Sequence, residues 1–171
     1  AGENAALYTD PIIDMVMSYD EGECKQYGMI QFDEFESKID IPIDKDYPLS
    51  DIYFAGFVKD RLPILMDIYH HLTNAGLKVK YYLTGVPESK RIEYDGITYG
   101  NSQIPYYDML YQTVNSRCVL EINQAGATGF TSRFLEAVMY NKKLITNNKD
   151  VLKSSFYSPS TIQIIENANQ I

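Results

Sequence analysis

Residues 118–146 carry the pattern that most narrows the fold. Cys118-Val-Leu-Glu-Ile122 is β-prone and ends in a polar loop that contains Gly126 and Gly129. That loop opens into a helix with Phe130, Phe134 and Val138 on one stripe, and a second apolar strand, Leu144-Ile145-Thr146, follows. Strand, glycine loop, helix, strand is a βαβ unit, and the start of its helix suits a phosphate group. The two glycines permit close backbone approach. Thr131 and Ser132 add hydroxyls. Helical side chains lean toward the N-terminus, which lets Arg133 reach back to an anion. Glu136, one turn further on, is placed to accept hydrogen bonds from a ribose. The same spacing also suits a plain i, i+3 ion pair between Arg133 and Glu136 on a helix surface.

The alternation extends upstream. Asp51 to Gly56 reads as a strand, and Leu62 to Asn74 as a helix with Pro63 in its first turn and Gly76 after its end. Lys78 to Thr84 is a second strand closed by Gly85, and Gly96 to Tyr99 a short third one. A helix from near Pro105 to about Asn115 precedes the strand at Cys118 to Ile122. Lys143 to Thr146 and Thr161 to Ile165 complete the set. Strands spaced by helices imply parallel pairing through crossovers. The expected fold is α/β: a Rossmann-like, doubly wound, mainly parallel sheet over residues 51–171. Such a sheet binds ligands at the carboxyl ends of its strands. The loops at that edge run from Gly56 to Arg61, Gly85 to Pro87, Gly100 to Ile104 and Gln124 to Gly129, with Asn147 and Asn148 last.

The first fifty residues do not join this alternation cleanly. Pro11 to Ser18 reads as a strand, Glu21 to Tyr27 as a short helix ended by Gly28, and Met29 to Phe32 as another strand. Asp33 to Ser50, acidic and broken by Pro42 and Pro48, reads as a linker. The acidic run at Asp20 to Glu23 fits a helix start, where acids oppose the positive end of the dipole.

Gly129-Phe130-Thr131 followed by Leu135-Glu136-Ala137 resembles the donor-binding motif of GT-B glycosyltransferases. That motif has Gly-Phe-Gly, then Leu-Glu-Ala, with an earlier glutamate eight positions before the second. Here Thr128 stands in place of the earlier glutamate and Thr131 in place of the second glycine, so the usual role of that first acid does not transfer. The departures suggest a divergent branch, similar to bacterial lipopolysaccharide or capsule biosynthesis enzymes. The resemblance covers about two-thirds of the chain. It implies that residues 51–171 bind a nucleoside diphosphate sugar without metal or other cofactor, and that residues 1–50 are the end of an acceptor domain plus linker. It implies that Lys59, Arg61 and Arg133 neutralise the leaving diphosphate. Gly56, Gly85, Gln124, Gly126, Gly129, Phe130, Thr131 and Ser132 would surround the donor, with Glu136 on the ribose. Tyr99, with Ile104, Tyr106 and Tyr107, lies where the family holds the base, although a half-buried tyrosine cluster is the commoner outcome.

Lys59 and Arg61 also stand out physically, because cations near a helix N-terminus oppose the dipole unless an anion lies between. Asp44-Lys45-Asp46 has a metal-diphosphate spacing, but short matches of this kind are frequent and this one sits in an acidic connector. His70 and His71 fall mid-helix, far from the ligand edge, with no second pair at metal-ligand spacing. The net charge of −8 argues against nucleic acid as a partner. With two cysteines there is no disulfide framework, and no apolar run approaches a membrane span. The expectation is a transferase half that works in the cytoplasm or at the inner membrane face on a glycan or lipid-linked acceptor, with peripheral membrane contact in the longer protein. The alternative is a non-catalytic Rossmann-like module that binds a nucleotide or phosphometabolite, or mediates assembly.

Overall fold

The computed structural model describes residue 8 and residues 10–32 and 36–171. The N-terminal part contains β1 (Met17–Ser18), α1 (Glu21–Tyr27) and β2 (Ile30–Gln31), the two strands pairing in parallel apart from the main sheet. The strands expected over Pro11 to Ser18 and Met29 to Phe32 contract to two residues each. Pro11 lacks the N–H that a ladder needs and sits in a turn instead. The helix forms as expected: Asp20 accepts from the Glu23 amide at its start, and Gly28 closes it at φ 67°.

The main sheet holds β3 (Ser50–Phe57), β4 (Val79–Thr84), β5 (Ile97–Gly100), β6 (Ser116–Glu121), β7 (Lys143–Thr146) and β8 (Ile162–Ile164). All of its pairings are parallel, in the order β5-β4-β3-β6-β7-β8. Numbered within the sheet, that is 3-2-1-4-5-6, the doubly wound order, whose crevice opens where the direction reverses, between β3 and β6.

Alternation along each strand decides which helix it meets. Ile52 and Phe54 of β3, Tyr81 and Leu83 of β4 and Leu120 of β6 form one face with α2 (Leu62–Asn74). That helix contributes Leu65, Ile68, Tyr69 and Leu72, a spacing that makes one stripe. Each such side chain, fully buried, is worth roughly 1.5–3 kcal/mol. Tyr53 and Ala55 of β3 turn the other way, against Met109 and Leu110 of α3 (Tyr106–Val114). On that same face Val119 and Leu144 meet Phe134 and Ala137 of α4 (Ser132–Met139). Helices therefore cover both faces.

The acidic connector is a strap rather than a free linker over its described part. Tyr140 Oη donates to the Ile39 carbonyl and accepts from its amide, both at 3.0 Å. Buried Asn115 accepts from the Asp44 amide and donates to the Pro42 carbonyl. The Asp44 carboxylate accepts from Tyr111 and from the Asp46 amide, so the Asp44/Asp46 spacing builds a turn. Residues 33–35 of the expected linker, and most of residues 1–9, lie outside the described residues.

Candidate functional site

A cleft of about 420 Å³ opens at the carboxyl edge of the sheet, between the ends of β3 and β4 and the first turns of α3 and α4. Gly56 and Phe57 form one wall, Tyr82 and Ile104 another, and Tyr106, Ser132, Arg133 and Glu136 close the side toward the helices. Among the expected site residues, Gly56, Ser132, Arg133 and Glu136 are thus brought together.

The helix that supplies three of these residues starts where its sequence dictates. Thr131 has extended backbone angles and accepts from the Phe134 amide at 3.3 Å, which makes it the N-cap. Phe130 therefore precedes the helix instead of lying within it, and its ring stacks on Phe134 with centroids 5.1 Å apart. Arg133 forms an ion pair with Glu136, and its other terminal nitrogen meets the Met109 sulfur. This pair is not on the surface. The Glu136 side chain is 0% exposed and that of Arg133 25% exposed, and both stand in the cleft wall with Met109 of α3 and Glu36 of the strap. At the mouth, Tyr106 donates to Glu36 at 3.1 Å. Burial, then the Glu136 and Glu36 charges, push the Tyr106 hydroxyl well above the ordinary phenol range.

Other expected residues lie elsewhere. Lys59 and Gln124 meet at 3.2 Å across the β3–β6 crevice, and Lys59 adopts a left-handed φ of 48°. Arg61 points inward: its guanidinium donates to the carbonyls of Phe57, Val58 and Ile122 and clamps the ends of β3 and β6. Gly126 stands at the open tip of its loop. Gly85 turns the chain at φ 79° beneath the Phe57 ring. Tyr99 belongs to the α2 face of the sheet, the one opposite the cleft, and its hydroxyl both donates to and accepts from Ile92.

Gly129 and Phe130 line a separate cavity of about 230 Å³, whose far wall is Tyr19 and Phe32. The loop amides that an anion would seek are already engaged by carboxylates of the chain itself. Asp20 accepts from the Thr128 amide and from its hydroxyl, both at 2.9 Å, and Asp150 accepts from the Gly129 amide at 2.7 Å. For Asp20, burial acts to raise the pKa, yet the hydrogen bonds from Thr128 and Glu23 prevail and it lies below the usual range. Lys153 and then the Gly129 amide lower that of Asp150. A carboxylate depressed on folding adds stability above its unfolded pKa and loses it as pH falls through the folded value. Docking of residues 10–32 should therefore hold at neutral pH and fail in acid. An NMR titration of the Thr128 amide should show its transition below pH 3.8, the ordinary aspartate value.

Several residues of this edge carry little sequence signal. Glu121 is 2% exposed, and its only mark is an acid inside an apolar strand. Asp20, Asp150 and Asn148 look like ordinary caps and turn residues. Among the described residues no group of histidine, cysteine and carboxylate side chains is placed to hold a metal ion, and no helix is long and apolar enough to cross a membrane. Compared with known proteins, the sequence matches no protein-family model and no curated protein.

Proposed function

We propose that this chain is the donor-binding part of a GT-B-type glycosyltransferase. In this reading it binds a nucleoside diphosphate sugar in the cleft between α3 and α4. The observation that carries the proposal is the cleft's place and lining: it lies at the carboxyl edge of a doubly wound sheet, with Ser132, Arg133 and Glu136 at the start of one helix. The diphosphate lies against that helix start, and Arg133 turns outward to meet it. The carboxylate Arg133 leaves behind then faces the cleft, where a ribose hydroxyl donates to it. Lys59, across the crevice, supplies the second positive charge on the leaving group. The acceptor is a surface glycan or its lipid-linked precursor, held by a preceding domain, and the work is done in the cytoplasm or at the inner membrane face.

One observation favours the non-catalytic reading. Arg61 is held by three main-chain carbonyls, which leaves a smaller positive set for leaving-group chemistry. Turnover of a donor by the protein joined to its acceptor half separates the two readings.

The test of binding is a thermal-shift panel of nucleosides, nucleoside diphosphates and their sugars with a chelator present. A diphosphate at a hundred-fold excess over its Kd adds about 2.7 kcal/mol of stability. For a domain of this size that raises the melting temperature by roughly 5–10 °C. No shift at millimolar concentration would overturn the binding site. A shift seen only with added divalent metal would overturn the metal-independent mechanism.

A further inference from the structure

Buried carboxylates are costly unless charge and hydrogen bonds compensate them. Glu121, at the end of β6, is 2% exposed, and burial pushes its carboxyl pKa up. Neutral hydroxyls hold both of its oxygens: one accepts from Thr131 and the other from Thr146. Arg133 is near enough to be felt as a charge but is bonded to Glu136. An apolar residue here would serve the core better, so stability alone is a poor account of the acid.

What the carboxylate touches supplies a better one. Thr131 caps α4 through the Phe134 amide. Thr146 accepts from the Asn148 amide at 2.9 Å, and Asn148 donates its side-chain nitrogen to the Gly129 carbonyl at 2.8 Å. The Asn148 side-chain oxygen accepts from the Asp150 amide, and Asp150 accepts from the Gly129 amide. One buried group thus anchors two branches, of which one sets the start of α4 and the other grips both main-chain polar groups of Gly129.

We propose that Glu121 is a positioning residue: by holding Thr131 it fixes the start of α4 that the cleft presents to an anion, and by holding Thr146 it fixes the glycine loop next to that start. The ligand part of this proposal rests on the binding function proposed above; the positioning part does not.

The experiment uses E121A and E121Q in the whole chain, with T146V as a second route into the network. Glutamine keeps one acceptor oxygen and the shape of the side chain, so it should restore most of what alanine loses. In ligand-free protein, hydrogen exchange at the Gly129 and Phe134 amides should speed up by about ten-fold or more in E121A, while core amides of β4 stay protected. Affinity for a nucleoside diphosphate should fall by about ten-fold with that for the parent nucleoside unchanged, a split that general destabilisation does not produce. Unchanged exchange at both amides, or equal loss for both ligands, overturns the proposal. Should E121A not fold, T146V, which cuts the branch through Asn148, decides it by Gly129 exchange: unchanged exchange there overturns the proposal. If the unaltered protein binds no nucleotide, the binding function fails, and the exchange rates alone judge the positioning role.

Discussion

Arg133→Ala should lower the melting temperature by about 6–12 °C, a large effect for one residue on a short helix. The reason is what remains behind. Glu136 is fully buried and loses the guanidinium that neutralises it. Removing one partner of a buried pair costs about 3–5 kcal/mol, whereas an exposed helical pair is worth a few tenths. The lower end, about 3 kcal/mol, applies because Arg133 keeps a quarter of its side-chain surface exposed. Replacing both residues by apolar ones of similar size, Arg133→Met with Glu136→Leu, should recover most of the loss, since the buried charge is removed together with its ion-pair partner. Urea and thermal unfolding of the single and double variants check both statements. A change below 1 °C in Arg133→Ala would mean that the pair is as weak as a surface one. On the function proposed above, the double variant should also lose nucleotide binding despite regained stability, which would separate binding from stability.

Gly129→Ala should detach residues 10–32 from the sheet edge. Gly129 has φ 83°, and a Cβ there would lie 2.5 Å from the Tyr19 carbonyl oxygen. The left-handed conformation costs alanine about 1–2 kcal/mol, and the close approach adds roughly 1–3 kcal/mol of strain. The atom in the way belongs to the N-terminal part and not to the sheet core, so release of that part offers the cheaper relief. Limited proteolysis should then cut within residues 10–32 several times faster than in the unaltered protein, with β3 and β4 still protected. Equal resistance of the two proteins would show that the N-terminal part is not seated on this loop.

The main sheet was legible because its signals are local and repeated. Each of its strands ends in glycine, asparagine or a polar turn, and α2 announces itself by Pro63, a single apolar stripe and Gly76. Parallel pairing with helices between the strands follows from that alternation, whereas the strand order comes from which strands meet in the folded chain. What local signals do not contain is the partner that a polar group meets. Arg61 looks like a cation waiting for an anion, but carbonyl oxygens at the ends of two strands distant in sequence take it up. Arg133 and Glu136 have the spacing of a surface pair, yet the structure sets them in the cleft wall, with Glu136 fully buried. Tyr99 differs from Tyr82 by the face of the sheet it joins, which the pairing register sets and composition does not. The N-terminal strands shrink for a related reason: among the described residues Met17–Ser18 and Ile30–Gln31 pair with each other and with no further strand.

The double use of the glycine loop has a thermodynamic consequence. Thr128 and Gly129 seat the N-terminal part through Asp20 and the Tyr19 backbone, and the next residues begin α4. Anything that reshapes the start of α4 then alters how tightly residues 10–32 are held, and linkage requires the converse to the same degree. A loop read from sequence as a receptacle is, in the folded chain, a joint, across which the shape of the α4 start and the attachment of residues 10–32 share a single free energy.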